Sequence, residues 1–152
     1  MKLLLYDNIE HRNELSYLLY KYMMEMHDEC MGSASDAIDI MLKYNKHIYV
    51  LFRDNEMIGF LIMYINDQYG LSKPTAVNEY MYVLPSYRNG IATGYMMKQL
   101  AYYCNETSTD LIGYTYATSS NIYNAKKIGA EELGTIFKVS LEILKNKLRK
   151  YK

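Results

Sequence analysis

Apolar side chains recur along the chain with two different periods, which separate predicted helices from predicted strands. Between residues 9 and 30 they recur every three or four positions, a spacing typical of a long amphipathic helix. The apolar face of this helix comprises Leu15, Leu18, Leu19, Tyr22, Met23 and Met26. Residues 31–33 interrupt the pattern, and Ser33 and Ser35-Asp36 offer N-caps for a second helix. The inward face of the second helix comprises Ile38, Met41 and Leu42.

Short apolar runs bounded by turn residues predict the strands. The strands comprise residues 2–6, 47–53, 57–65, 75–84, 111–117 and 133–141. Asp54-Asn55-Glu56 separates two of them and is typical of a hairpin turn. Helical spacing returns over residues 90–106, and again over a short segment that Ser119-Ser120-Asn121 caps and that ends at Gly129. The inward residues of the helix over 90–106 are Met96, Met97, Leu100 and Tyr103.

The predicted elements follow the order β-α-α-β-β-β-α-β-α-β, with a basic helical tail over residues 144–152. Helices interleaved with strands in both halves favour the α/β class, with one central mixed β-sheet and helices on both faces. No internal repeat, low-complexity stretch or linker divides the chain. We therefore expect a single domain over residues 1–152.

The composition excludes several classes of protein. The chain is 152 residues long and 50% hydrophobic, and its 17 basic and 17 acidic residues cancel. Zero net charge argues against a nucleic-acid or acidic-membrane partner. The longest apolar run, residues 57–65, is about half of what crosses a bilayer, and residues 3–6 are too short for a secretory signal. We expect a cytoplasmic protein with no membrane association, in which Cys30 and Cys104 are thiols.

Metal-ligand residue types are sparse. Three His and two Cys are too few and too scattered for a zinc finger. The run His27-Asp28-Glu29-Cys30 contains ligand types, but consecutive residues of a helix point in different directions. We expect no metal.

Residues 75–94 combine a strand, a tight turn and a helix N-terminus, in the order that suits a ligand site. Pro85 ends the strand because it lacks an N–H, and Arg88-Asn89-Gly90 forms the turn. Small residues in the first helical turn let a diphosphate approach N–H groups that carry partial positive charge. The glycine spacing excludes a nucleotide P-loop and a dinucleotide fingerprint. The alternative is a helix packed closely on a strand with no ligand.

Val83-Leu-Pro-Ser-Tyr-Arg-Asn-Gly-Ile-Ala-Thr93 resembles the acetyl-CoA signature of the GNAT superfamily of N-acetyltransferases. Lys127-Ile-Gly-Ala-Glu131 resembles a later helix end of that superfamily, and the element order resembles its fold over nearly the whole chain. The resemblance implies a central mixed sheet of roughly six to seven strands flanked by about four helices. It also implies acetyl-CoA as the co-substrate.

The resemblance further implies roles for single residues. The N–H and C=O of Met81 and Val83 would pair with the pantetheine arm, and the N–H of Met81 or Tyr82 would polarise the thioester carbonyl. An ordinary strand with both edges paired is the alternative. The residues implied to hold the diphosphate are Arg88, Asn89, Gly90, Ile91, Ala92, Thr93 and Gly94. Asn121 would bond the pantetheine amides, with a helix cap as the alternative.

Glu79 is the candidate general base, because it lies four residues before Val83, where members of the superfamily often carry a glutamate. An alkyl ammonium has a pKa of about 10.4, so deprotonating it at pH 7 costs about 4–5 kcal/mol and a nearby carboxylate helps. Strand alternation places Glu79, Met81 and Val83 on one face. The alternative is a buried carboxylate paired with Arg53, Arg88 or a tyrosine hydroxyl.

We therefore expect an acetyl-CoA-dependent N-acetyltransferase that passes the acetyl group directly to a primary amine of a small molecule, peptide or protein. Tyr123 is the candidate acid for the leaving thiolate, and a homodimer is common among proteins of this resemblance. The alternative is a non-catalytic acyl-CoA-binding or protein-interaction module on the same fold. Two departures from the superfamily favour that alternative: one residue instead of two between Arg88 and Gly90, and Ala125 in place of a tyrosine.

Overall fold

The computed structural model describes residues 1–26, 32–67, 74–88 and 90–113. The elements within these ranges follow the order β-α-α-β-β-β-α-β, which confirms the predicted order up to that point. The elements predicted after residue 113, and the candidate residues Asn89, Asn121 and Tyr123, lie outside the described residues. Within the described ranges, no helix combines the length and the apolarity needed to cross a membrane.

Five strands of the described chain form one mixed sheet in the order β1-β2-β3-β4-β5. The strands are β1 (Lys2–Leu5), β2 (His47–Arg53), β3 (Glu56–Asn66), β4 (Thr75–Val83) and β5 (Asp110–Gly113). The first four pair antiparallel, and β5 lies parallel to β4. A parallel neighbour needs a long crossover, which a helix provides here. The predicted mixed sheet is therefore confirmed.

The predicted hairpin between β2 and β3 is also confirmed. Asp54 and Asn55 have φ values of 50° and 69°, both in the left-handed region. Two such residues form the turn whose twist matches that of antiparallel strands, and Asp and Asn adopt this conformation more readily than other non-glycine residues. β3 therefore begins directly at Glu56.

The helices are α1 (Arg12–Met26), α2 (Ala34–Lys43) and α3 (Gly90–Thr107), and a 3-10 turn covers Pro85–Tyr87. α1 begins at Arg12 rather than at Ile9, where the apolar pattern placed its start. The Asp7 carboxylate accepts the N–H groups of Ile9 and Glu10 at 2.8 and 3.0 Å, which holds these residues in a turn. The hydrogen bonds from Glu10 and Ile9 lower the pKa of Asp7.

α2 is capped as predicted, since the Ser33 hydroxyl accepts the N–H of Asp36 at 3.1 Å. The buried side chains of α2 are Ala37, Ile38 and Met41. Leu42 is 37% exposed, so the prediction that it faces inward is wrong. One step along a helix rotates the side chain by about 100°, which carries residue 42 away from the narrow buried face.

Apolar side chains form clusters on both faces of the sheet. On one face α1 and α2 cover the helix-pair cluster of Leu15, Leu18, Leu19, Tyr22, Ala37, Ile38, Met41, Ile48, Val50, Met57, Phe60, Ile62 and Tyr82. On the other face α3 covers the α3 clusters, which comprise Leu51, Ile58, Val83, Ala92, Met96, Leu61, Met63, Ala76, Leu100 and Tyr103. Burial of both faces explains why β3 is an almost continuous apolar run.

A β-bulge at Ile58 brings β3 close to α3. The register between β2 and β3 skips Ile58, so that Ile58 and Gly59 both face the helix. A Cβ added at Gly59 would lie 2.5 Å from the carbonyl oxygen of Tyr82 and 2.8 Å from the Cε of Met96. Only glycine allows this approach of the two strands and the helix.

We expect Gly59→Ala to lower the free energy of unfolding by about 1–3 kcal/mol, because the backbone of β4 must move to admit the new methyl group. Chemical denaturation followed by circular dichroism measures the change. Gly94→Ala is the matched control, because an added Cβ there meets no atom within 4 Å; it should leave stability unchanged or raise it by about 0.5–1 kcal/mol. Equal stability of the parent and Gly59→Ala would contradict the close approach.

Candidate functional site

Among the residues that the structure describes, β4 pairs with β3 on one edge and with β5 on part of the other. Thr75–Asn78 pair with β5, whereas β4 pairs with β3 along nearly all of Thr75–Val83. From Glu79 to Val83, the second edge of β4 faces no strand among the residues that the structure describes. We call this edge of residues 79–83 the open edge.

The peptide groups of β4 alternate between β3 and the open edge. The N–H of Leu84 donates to a carbonyl of β3 at 2.9 Å, so alternation directs the N–H of Tyr82 towards β3 as well. The N–H groups of Met81 and Val83 then point to the open edge. The carbonyl of Val83 is on that edge too, where it accepts the Nε–H of Arg88 at 2.8 Å. Of the two candidate oxyanion donors, Met81 therefore has the suitable direction and Tyr82 does not.

A β-bulge in β4 interrupts the alternation of its side chains. The register passes from the pair Ile62–Tyr80 directly to the pair Met63–Asn78, which leaves Glu79 as the extra residue. The side-chain amide of Asn78 donates to the carbonyls of Ile62 and Tyr80 at 3.3 and 3.1 Å. This buried amide donates to carbonyl groups beside the bulge, so the side chain of Asn78 stabilises the irregular backbone.

The bulge places Glu79 on the opposite face of the sheet from Met81 and Val83. The Glu79 carboxylate contacts the ammonium of Lys46, which lies 5.2 Å from the ring centre of Tyr64. The neighbours of Tyr64 in β3 pack in an α3 cluster, so Tyr64 itself faces the side of α1 and α2. The expectation that Glu79, Met81 and Val83 share one face is therefore wrong, because one extra residue reverses the alternation.

Glu79 and Lys46 form an ion pair whose side chains are 23% and 19% exposed. The partners considered for a purely structural Glu79 were Arg53, Arg88 and a tyrosine hydroxyl, and both arginines pair elsewhere. The Nε of Arg53 lies 3.5 Å from the Asp54 carboxylate, and Arg88 pairs with a glutamate of α1. The half-buried carboxylate of Glu79 is thus paired with a cation, as the structural alternative expects, with Lys46 as the partner.

α3 begins at Gly90 with open space beside its first turn. A Cβ added at Gly90 or Gly94 would meet no atom of the described residues within 4 Å, and neither glycine has a positive φ. The close packing of α3 on the strands therefore relies on Gly59 and Ala92, and not on these two glycines. Ala92 is fully buried against β4, and Thr93 is exposed. The first turn of α3 is where the sequence predicts a diphosphate.

Arg88 is held by Glu25, Val83 and Tyr82. Its Nη1 and Nη2 each lie 2.6 Å from a different carboxylate oxygen of Glu25. Its guanidinium lies 5.3 Å from the ring centre of Tyr82, and the Tyr82 hydroxyl donates to Glu25 at 3.2 Å. The implied diphosphate ligand is thus engaged in a bidentate pair that ties the 3-10 turn to the end of α1.

The charges of this cluster follow from its contacts. The hydrogen bond and charge of Arg88 lower the pKa of Glu25, and Glu25 in turn raises the pKa of Arg88. Burial, followed by the charge of Glu25, raises the pKa of Tyr82. At neutral pH the cluster therefore consists of a charged pair and a protonated hydroxyl.

Sequence reasoning missed Glu25 and Lys46. Glu25 follows Leu18 by seven positions and Tyr22 by three, so it lies on the apolar stripe of α1, where a carboxylate needs a partner. That position was a usable signal. Lys46 carries no comparable signal, because its contact with Glu79 joins residues 33 positions apart.

Metal-ligand side chains are dispersed in the described chain. No three His, Cys, Asp or Glu residues there form a group that could hold a metal ion. The charges beside the open edge are supplied by the pairs Arg88–Glu25 and Lys46–Glu79.

Comparison with known proteins identifies relatives of this arrangement. A family model described as the acetyltransferase (GNAT) family matches residues 11–126. No curated protein sequence matches the chain.

Solved acetyltransferase structures share the fold at low sequence identity. A ribosomal-protein-alanine N-acetyltransferase from Brucella melitensis biovar Abortus 2308 is 16% identical, with a TM-score of 0.72, covering 93% of this chain and 100% of its own. The aminoglycoside N-acetyltransferase AAC(6')-Iy in complex with CoA is 15% identical, with a TM-score of 0.70 and coverages of 91% and 98%. An aminoglycoside acetyltransferase from an uncultured soil metagenomic sample, in complex with sisomicin, is 16% identical, with a TM-score of 0.71 and coverages of 92% and 95%.

We expect Glu25→Gln to destabilise the protein at pH 7 by at most about 1 kcal/mol, because the pair is partly exposed. The pKa of Glu25 is lowered by folding, so its contribution is complete above the ordinary value of 4.5 and is lost as the pH falls through the lower pKa of the folded state. Urea unfolding of both proteins between pH 7 and pH 3 measures this convergence. A difference in stability that stays constant over this range would contradict the ionic role.

Proposed function

Because this chain belongs to the GNAT acetyltransferase family, whose enzymes use acetyl-CoA as co-substrate, we propose that it transfers the acetyl group directly to a primary amine, with Glu79 as the general base. The observation that carries the proposal is the course of the open edge. It extends from Val83, which packs with Ala92 of α3, to Glu79. Val83 lies four positions after Glu79, a distance of about 13 Å along an extended strand.

The open edge supplies the contacts that the co-substrate requires. The first turn of α3 offers backbone N–H groups with partial positive charge to the diphosphate, beside Gly90 and Gly94. The peptide groups of Met81 and Val83 face the edge and can pair with the amides of an extended arm. The N–H of Met81 would stabilise the oxyanion that develops when the thioester is attacked.

Arg88 has to exchange a partner to contact the diphosphate. Its guanidinium is bonded to Glu25, so a diphosphate would replace that carboxylate or take up the outer face of the pair. We propose that the backbone of the α3 start holds most of the diphosphate and that Arg88 mainly positions the 3-10 turn. The proposed contributions of Asn89 and Asn121 concern residues outside the described ranges.

Glu79 acts in this proposal on the protonated acceptor. Its carboxylate takes a proton from the ammonium, and the neutral nitrogen forms a bond to the acetyl carbon as the carbon–sulfur bond breaks. The thiolate leaves with its electron pair and takes a proton, for which Tyr123 is the proposed donor. No covalent enzyme intermediate is required.

The acceptor class is a primary amine. The similar structures are named for acetylation of an alanine of a ribosomal protein and of aminoglycosides. These two kinds of acceptor have in common the nitrogen that is acetylated. We propose a small molecule, peptide or protein amine that reaches Glu79 from the face of α1 and α2. A cytoplasmic location and a homodimer complete the proposal.

One observation favours a second function, a non-catalytic acyl-CoA-binding module. The carboxylate of Glu79 is already paired with Lys46, so an acceptor must displace this ammonium before Glu79 can serve it. A parent protein that binds CoA but transfers acetyl to none of a wide panel of amines would establish this second function.

We expect Glu79→Gln to lower kcat by about 100- to 10,000-fold with CoA affinity retained, because the amide cannot accept the proton. Thiol release from acetyl-CoA in the presence of an accepted amine measures the rate. Glu106→Gln, an exposed position of α3, is the matched control and should keep the parent rate. Equal rates for the parent and Glu79→Gln would remove Glu79 from the role of base.

We expect Gly94→Val to weaken CoA binding at least about tenfold, because the branched side chain fills the open space beside the α3 start. Ligand at 100 times its dissociation constant stabilises a protein by about 2.7 kcal/mol, so thermal unfolding with and without CoA measures the loss. Ala101→Val, at an exposed position of the same helix, should bind CoA as the parent does. Unchanged binding in Gly94→Val would place the diphosphate elsewhere.

A further inference from the structure

Lys46 places its own primary amine where the proposed function needs the acceptor. We propose that Lys46 is an acetyl acceptor in cis, modified by the chain's own active site, an inference that rests on the proposed function. The amine contacts the carboxylate of Glu79 in a half-buried position. Any external acceptor has to reach this same carboxylate.

The backbone and the ring of Tyr64 hold the lysine in this position. The N–H of Lys46 donates to the carbonyl of Met41 at 3.0 Å, which fixes the lysine between the end of α2 and the start of β2. From there its side chain crosses β3 over the Tyr64 ring, 5.2 Å from the ring centre, and reaches Glu79 on β4. The side chains of Lys46 and Glu79 are 19% and 23% exposed, so the amine is directed away from bulk solvent.

The position of Lys46 favours its reaction. An amine held against the base reacts at a high effective concentration when the thioester is bound beside it, whereas a mobile surface lysine does not. Lys43 provides the contrast within the same region. It is exposed in the last turn of α2, and its ammonium lies 6.0 Å from the ring centre of Tyr44.

The reaction balances without a further reagent. Glu79 takes a proton from the Lys46 ammonium, the neutral Nζ forms a bond to the acetyl carbon, and the carbon–sulfur bond of acetyl-CoA breaks. The thiolate leaves with the electron pair and takes up a proton. The product is a neutral amide at Lys46, which ends the ion pair with Glu79.

Intact-mass spectrometry of the full chain incubated with acetyl-CoA tests the proposal, with proteolytic mapping of the modified lysine. We expect one added acetyl group at Lys46, formed at least about 100-fold faster than at Lys43 and faster than in the heat-unfolded chain. The rate should be independent of protein concentration. Lys46→Arg should abolish the modification while keeping a cation against Glu79, and Lys43→Arg should leave it unchanged.

The outcomes separate this proposal from the proposed function. Acetylation of an external amine with Lys46 unmodified would overturn the inference and leave the function in place. Lys46 modified at the rate of Lys43, or at a rate that rises with protein concentration, would overturn acceptance in cis. Absence of CoA-induced stabilisation in the thermal unfolding of the parent would overturn the proposed function, and the inference with it.

Discussion

The extra residue in β4 is the constraint on which the rest of the site depends. The register between β3 and β4 passes over Glu79, which follows directly on Asn78. The same short stretch therefore carries the reversal of side-chain direction and the carboxylate. The Asn78 amide stabilises this arrangement by donating to two carbonyls, so the irregular backbone leaves these buried groups satisfied.

Two ion pairs connect the helices on one face to the strand that carries the open edge. Glu25 of α1 forms an ion pair with Arg88, which lies beyond the end of β4. Lys46, between α2 and β2, forms an ion pair with Glu79 near the middle of β4. The side chains of Lys46 and Glu79 are less exposed than those of Arg88 and Glu25, so the loss of one partner should cost more in the Lys46–Glu79 pair. The side of the sheet that would receive an acceptor is thereby coupled to the strand that would hold the acyl group.

The periodic features of the fold could be predicted because they are local. Heptad-like spacing located α1, and Ser33, Pro85 and Gly90 marked element ends through the chemistry of single residues. The start of α1 was predicted too early because the Asp7 side chain competes for backbone N–H groups. A turn that a side chain forms with its own neighbours is difficult to distinguish from a helix by apolar spacing alone.

The strand, turn and helix that carry the predicted site are confirmed, whereas the contacts of its side chains could not be predicted. The position of Glu79 follows from its spacing to Val83, but its direction depends on a bulge that regular alternation does not reveal. The engagement of Arg88 with Glu25 joins residues 63 positions apart, and no local pattern specifies that distance. Such pairs depend on the tertiary structure. Periodicity predicts only the face of a helix or strand on which a side chain lies, not its partner.

Tyr22 links the two sides of this site through aromatic rings. Its ring centre lies 6.0, 5.4 and 5.8 Å from those of Phe60, Tyr80 and Tyr82, all in edge-to-face geometry. Close-packed interiors transmit displacements instead of absorbing them. A displacement of α1 should therefore also displace Tyr80 and Tyr82 of β4, together with the Met81 peptide that lies between them.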